Sequence, residues 1–224
     1  MNTLRDGAFN TLRDGPPNLY EVRADSPGNE RALLKTPAPK TPLDYSSDGK
    51  FLLHTSSNPK TGSDIWALPL DGKSKGYPVL NETADERQAT LSPDGRWLAY
   101  ISNESQSYQV YVQAFPISGF KRQVSSSAGG GFEPLWRRDG KELFYLAGDN
   151  TLMAVDVSST STTIDVGPPK PLFPTRIRLL EIQVGARHYG VSSDGQRFLV
   201  ANVTDEARST PITVVLNWMS ALPK

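Results

Sequence analysis

The sequence predicts an all-β chain made of repeated small sheets, and three observations carry that expectation. First, a small-polar-Asp-Gly signal recurs as Ser47-Asp48-Gly49, Pro93-Asp94-Gly95, Arg138-Asp139-Gly140 and Ser193-Asp194-Gly195, with aspartates 46, 45 and 55 residues apart. Second, each signal leads into a short apolar run: Lys50-Phe51-Leu52-Leu53, Arg96-Trp97-Leu98-Ala99-Tyr100, Lys141-Glu142-Leu143-Phe144-Tyr145 and Gln196-Arg197-Phe198-Leu199-Val200. Third, glycine and proline number 18 each in 224 residues, a density that implies many turns and short elements. Four short strands in about 45 residues is the signature of a β-propeller blade. The fold class is therefore a β-propeller of five blade units, the first and last incomplete.

The units run approximately over residues 1–38, 39–84, 85–129, 130–184 and 185–224, as one propeller domain or propeller fragment. Arg5-Asp6-Gly7 lies close to one blade length before Asp48 and marks the first unit. The fourth is stretched by about ten residues relative to the usual blade. Within each unit the run after Asp-Gly is aromatic and branched, so it reads as a strand. It does not alternate with polar residues, and a strand without alternation is covered on both faces. A polar hairpin then leads to a second strand: Asn18-Leu19-Tyr20-Glu21-Val22, Ile65-Trp66-Ala67-Leu68, Gln109-Val110-Tyr111-Val112, Leu152-Met153-Ala154-Val155 and Ile212-Thr213-Val214-Val215-Leu216. Lys121-Arg122-Gln123-Val124 and Pro134-Leu135-Trp136 supply shorter outer and inner strands. A ring of six or seven blades needs roughly 270 to 315 residues, so the chain reads as the C-terminal portion of a longer propeller. A closed five-bladed ring with three-stranded end blades stays open as the alternative. Incomplete end blades would expose strand edges and apolar faces, which predicts possible self-association. Asn2-Thr3-Leu4-Arg5-Asp6-Gly7 is repeated verbatim at Asn10 to Gly15.

The Asp-Gly pairs read as structural turns. In Ser92-Pro93-Asp94-Gly95, Pro93 presets φ at the second position of a type I turn and Gly95 supplies the exit. Ser92 or Asp94 can accept hydrogen bonds from the turn backbone. The same role is assigned to Asp48, Gly49, Asp139, Gly140, Asp194 and Gly195.

Composition removes several function classes. Lys plus Arg and Asp plus Glu are 24 each, so no global charge draws the chain to nucleic acid or an anionic membrane. Cysteine is absent, which excludes disulfides, thiolate nucleophiles and Cys-based zinc sites. With two histidines, His54 and His188, no metal centre is expected, and no cofactor either. No run approaches the roughly 20 apolar residues of a membrane helix, and Met1 to Asp6 shows no signal-peptide pattern.

The search for chemistry is short. No Gly-x-Ser-x-Gly elbow occurs, since Gly190-Val191-Ser192-Ser193-Asp194-Gly195 has the wrong spacing. Gly72-Lys73-Ser74 imitates the end of a phosphate-binding loop, but Ala67 stands where its first glycine belongs, so a hairpin tip is expected. Gly129-Gly130-Gly131 has no following helix and is expected to admit the chain to an inner strand. His54 is expected to be a packing histidine, and Trp66, Trp97, Trp136 and Trp218 to serve the core. No catalytic residue is assigned. One cluster invites a binding role: Arg87, Glu133 and Arg187, with His188 beside the last, lie where the chain enters successive inner strands. In a propeller those points ring one mouth of the central channel, where converging charge could hold a polar or anionic ligand. The competing reading is inter-blade salt bridging.

The segment Ser92-Pro93-Asp94-Gly95-Arg96-Trp97-Leu98-Ala99-Tyr100-Ile101-Ser102 resembles the repeat of TolB-like, WD40-like β-propellers. The series Tyr108 to Pro116, Gln123-Val124-Ser125, Gly129 to Gly131 and Glu133 to Tyr145 is similar to the C-terminal propeller of bacterial Ser/Thr protein kinases, as is the ending Thr210 to Trp218. The resemblance spans nearly the whole chain, most specifically residues 88 to 157 and 188 to 218. It implies a non-catalytic protein-interaction or ligand-sensing module, extracytoplasmic if attached to a membrane-spanning kinase. No His-Arg-Asp or Asp-Phe-Gly segment supplies kinase chemistry here. The alternatives are the accessory propeller of a peptidase or other hydrolase, and a TolB-type periplasmic scaffold.

Overall fold

The Asp-Gly signals at Asp48, Asp94, Asp139 and Asp194 each join the first two strands of a small antiparallel sheet, and the sheets follow one another along the chain. The computed structural model describes residues 7–12, 15–23, 25, 26, 28–125, 130–160, 162–177 and 187–202. The first sheet holds β1 (Gly7–Thr11), β2 (Asn18–Val22) and β3 (Arg31–Leu34), and the second β4 (Lys40–Tyr45), β5 (Phe51–Asn58), β6 (Gly62–Pro69) and β7 (Tyr77–Leu80). The third holds β8 (Glu86–Leu91), β9 (Trp97–Ser102), β10 (Gln109–Ala114) and β11 (Lys121–Gln123). The fourth holds β12 (Gly131–Trp136), β13 (Glu142–Ala147), β14 (Thr151–Ser159), β15 (Ile164–Val166) and β16 (Lys170–Pro174). The last pairs β17 (Tyr189–Val191) with β18 (Phe198–Val200). No helix occurs among the described residues. The strand expected at Ile212 to Leu216, and Trp218 with it, lie outside them.

The turns share one construction. Gly95 N–H donates to Ser92 O (2.8 Å), Ser92 Oγ donates to Asp94 Oδ1 (2.6 Å), and Arg96 N–H closes on the same carboxylate (3.1 Å). Ser46 with Asp48 and Ser192 with Asp194 repeat it. In the fourth sheet Arg137 stands in place of the serine and grips Asp139 through Nε at 2.7 Å and Nη2 at 2.9 Å. The glycines that end these turns, Gly49, Gly95, Gly140 and Gly195, have φ of 71° to 73°, a region that favours residues without a Cβ.

The absence of polar alternation has a direct cause. All six residues of β9 are buried, and they divide by parity between two cores. Trp97, Ala99 and Ile101 pack with Val110, Val112, Trp136, Leu143 and Tyr145, between the third and fourth sheets. Leu98 and Tyr100 pack with Leu53, Ile65 and Ala67, between the second and third. β13 divides the same way, sending Leu143 and Tyr145 backward and Phe144 and Leu146 forward to Tyr189. Leu19, Leu52 and Leu68 close the interface of the first two sheets. The core is thus a series of inter-sheet seams, each fully buried leucine contributing about 1.5–3 kcal/mol.

The long fourth unit carries an extra strand. The first half of β14 pairs β16, and its second half pairs β15 from Val157↔Val166 to Ser159↔Ile164. Ile164 and Val166 join the neighbouring core, so this part of the added length packs inward.

Candidate functional site

The first strands of the sheets, β4, β8 and β12, pack beside one another and carry an irregularity at the same place. Register shifts fall between Pro42 and Asp44, between Arg87 and Thr90, and between Phe132 and Leu135. Gln88 and Glu133, each six residues before its turn aspartate, take a left-handed φ of 52°. Such a bulge re-aims a side chain out of the pleat, and here it aims it at the next sheet. Gln88 Oε1 accepts the Glu133 N–H at 2.8 Å. The Glu133 carboxylate, in a residue 1% exposed, accepts the His188 backbone N–H at 2.8 Å, and His188 Nδ1 lies 2.5 Å from its Oε1. A carboxylate only accepts, so the imidazole donates from Nδ1. Tyr189 Oη donates to the Glu133 carbonyl (2.7 Å) and Arg187 Nη1 to the Pro134 carbonyl (3.1 Å). Gln88, Glu133 and His188 thus form a polar chain across three sheets.

Of the four residues the sequence grouped, the structure brings Glu133, Arg187 and His188 together. Arg87 goes elsewhere. Its Nε and Nη2 donate to Asp85 at 2.8 and 2.5 Å, and its guanidinium sits 5.6 Å from the Tyr108 ring centre. Arg87 stands seven residues before its turn aspartate and Glu133 six, so the two belong to different registers of the strand, and a single residue step turns a side chain to the other face. Asp85 also accepts from Tyr108 Oη (2.7 Å) and the Ser63 N–H (3.0 Å). Burial opposes ionisation of Asp85, but the bonds from Arg87, Tyr108 and Ser63 outweigh it and hold the carboxyl below its ordinary value. Burial and the Asp85 carboxylate push the Tyr108 phenol up to about 12.

An imidazole oriented by a carboxylate can serve as a general base. Here the Glu133–His188 pair links β12 to the entry of β17, joining the fourth sheet to the fifth. No group of three acidic or histidine side chains able to hold a metal occurs among the described residues. At Gly72-Lys73-Ser74, Asp71 Oδ1 accepts the N–H groups of Lys73 and Ser74, both at 2.8 Å, so a side-chain carboxylate caps the hairpin tip. Gly131 opens β12, where a Cβ would come within 2.7 Å of the Ser125 Cβ. Trp97 and Trp136 are buried in one seam, while Trp66 is half-buried.

Sequence reading missed two groups here, Glu86 and Lys40, while the histidine it expected to pack, His54, is buried. Glu86, at the start of β8, is 3% exposed with Oε2 unpartnered, and burial, then the charge of Asp64, pushes its carboxyl up to about 8. Lys40, at the start of β4, is 3% exposed. His54 lies within β5, 1% exposed, and burial pulls its imidazole down to about 4. Lys40 and Glu86 both stand eight residues before their turn aspartates, where the next unit has Gly131, and His54 stands six after, where the next two units have Tyr100 and Tyr145.

No protein-family model and no curated protein sequence matches the chain. Solved structures do. TolB from Acinetobacter baumannii superposes with a TM-score of 0.58 at 20% identity, over 77% of this chain and 41% of that one. A puromycin-hydrolyzing peptidase from Mycobacterium tuberculosis gives 0.58 at 20% identity, over 80% of this chain and 31% of that one. The fold is a β-propeller. A periplasmic gluconolactonase from Pseudomonas aeruginosa extends the set, with 0.53 at 19% identity over 88% of this chain and 59% of that one. The chain spans less than two thirds of each of these propellers, and its neighbours include TolB proteins and propeller hydrolases alike. Identities this low speak to the fold alone.

Proposed function

We propose that the chain is a non-catalytic β-propeller module that binds a protein partner or a small polar ligand at the mouth formed by its inner strands. The observation that carries this reading is the commitment of the mouth's charged groups to their neighbours. Glu133 is spent on His188 and on docking the last sheet, and Asp85 on Arg87, Tyr108 and Ser63. What this inner-strand cluster leaves outward is cationic: Arg187 is exposed, while Arg87 lies apart, paired with Asp85. An arrangement with a braced acid and an outward guanidinium suits recognition of an anionic group better than proton transfer.

The test has two arms. Purified chain is assayed against peptide p-nitroanilides and aldonolactones, with Glu133→Gln and His188→Ala alongside. The expected result is no turnover above buffer; turnover that both substitutions abolish overturns the non-catalytic reading. The attachment to a Ser/Thr kinase rests on the similarity of residues 88 to 157 and 188 to 218. The genomic reading frame decides it: an upstream kinase domain with a membrane helix supports attachment. A hydrolase domain in the same frame moves the chain to the accessory-propeller class, and a leader peptide to the scaffold class.

A further inference from the structure

The seam between the first two sheets is built unlike the next two. The sixth residue after each turn aspartate faces the preceding sheet, and it is Tyr100 in β9 and Tyr145 in β13. Tyr100 is 1% exposed and stacks on its cross-strand partner Tyr111 with ring centres 5.8 Å apart, filling its seam. In the second sheet the matching cross-strand pair is His54 and Trp66. An imidazole is smaller than a phenol, and a cavity of about 510 Å³ opens there between β3 and the β5–β6 pair. Leu33, Leu34 and Trp66 give it apolar walls, Lys40 and His54 lie within it, and Lys75 stands exposed at its rim.

We propose that this cavity binds a small carboxylate carrying an aromatic or branched apolar body. Its size fits a small molecule. Its lining holds two lysines and no carboxylate, so the charge selects an anion. Lys40 Nζ donates to Thr36 Oγ1 and to the Ala38 carbonyl at 2.6 Å, which leaves its third N–H without an acceptor among the described residues. Burial draws the Lys40 ammonium below its ordinary pKa, a cost that a neighbouring anion offsets. Two more polar atoms at the site have no protein partner. His54 Nδ1 bonds the Thr55 carbonyl at 3.0 Å, which makes Nε2 the acceptor, and neither that atom nor Trp66 Nε1 is paired. Both atoms are sealed from the cavity, so the Lys40 ammonium and Lys75 at the rim carry the polar recognition. The leucines and the indole face hold its apolar body. This site is separate from the inner-strand mouth and does not depend on the role proposed for it.

The test is calorimetric titration of the whole chain with phenylacetate, and with phenylacetamide as its neutral isostere. Saturable one-site binding of the acid is expected, with the amide about tenfold weaker or worse, because a charge-assisted bond is replaced by a neutral one. His54→Tyr installs the side chain that fills the next seam, so it should abolish phenylacetate binding while the melting temperature holds or rises. Lys40→Met should erase the preference for acid over amide. Equal affinity for acid and amide overturns the proposal, as does wild-type binding by folded His54→Tyr or the absence of saturation by about 10 mM. Should Lys40→Met fail to fold, the acid-to-amide comparison and His54→Tyr still decide the matter.

Discussion

Replacing Glu86 by glutamine should change the pH dependence of stability more than stability at any single pH. Glu86 is 3% exposed and its Oε2 has no protein partner. Burial first, and Asp64 second, raise its carboxyl from 4.5 to about 8, with Glu82 and Asp85 adding to the rise and Lys121 opposing it. Between those values the folded chain keeps a proton that the unfolded chain has released. The native state therefore binds more protons, and stability falls as pH rises through the window. At about 1.36 kcal/mol per pH unit, the span from pH 5 to pH 8 removes up to about 3.5 kcal/mol, and about half of that if neighbours relax around the charge. Urea denaturation of the wild type and Glu86→Gln at both pH values isolates the effect, because every other titrating group cancels in the double difference. The variant should gain about 2–3 kcal/mol on the wild type between pH 5 and pH 8. Parallel profiles would refute the account of Glu86 as a carboxyl held neutral by the fold.

On the acid side His54 governs a different window. Its folded pKa of about 4 lies below the ordinary 6.5, so stability is lost as pH falls through that interval. His54→Phe should flatten this limb by up to about 3 kcal/mol in urea melts at pH 4 and 7, and an equally steep limb would count against a buried neutral imidazole. The glycines separate backbone strain from crowding. Gly95→Ala meets only Ser47 Oγ at 3.9 Å but a φ of 72°, for a cost of about 1–2 kcal/mol, whereas Gly131→Ala puts a Cβ 2.7 Å from Ser125 Cβ and should cost about 3. Equal losses in denaturant would contradict that distinction. Glu133→Gln keeps the shape but removes the charge that holds His188, so hydrogen exchange should speed up in Tyr189–Val191 and stay unchanged in Trp97–Ser102. Uniform exchange across both strands would mean that Glu133 does not brace the last sheet.

The sequence revealed the fold wherever chemistry repeats. The Asp-Gly period marked each first hairpin because a left-handed exit leaves glycine as the unstrained choice, and the unbroken apolar runs marked the strands lying between two seams. The inner-strand cluster was legible only in part. Glu133, Arg187 and His188 meet, but the bulges that aim Gln88 and Glu133 are set by backbone register, which composition does not encode, and that one-residue offset sends Arg87 to Asp85. Lys40 and Glu86 were invisible for another reason. Each is a charged residue in a position that the pattern of a strand leaves unspecified, and its burial arises only when the adjacent sheet covers it.

Parity along the central strand ties these observations together. Each such strand serves two seams at once, odd positions to one neighbour and even positions to the other, so a substitution on one parity leaves the opposite seam intact. Tyr100 can therefore be matched by His54 one sheet earlier without disturbing Leu53, which faces the other way. A repeat of this kind can open a polar cavity in one seam and keep the next fully packed. That is where functional divergence should concentrate: at positions such as the sixth residue after each turn, which faces the preceding sheet.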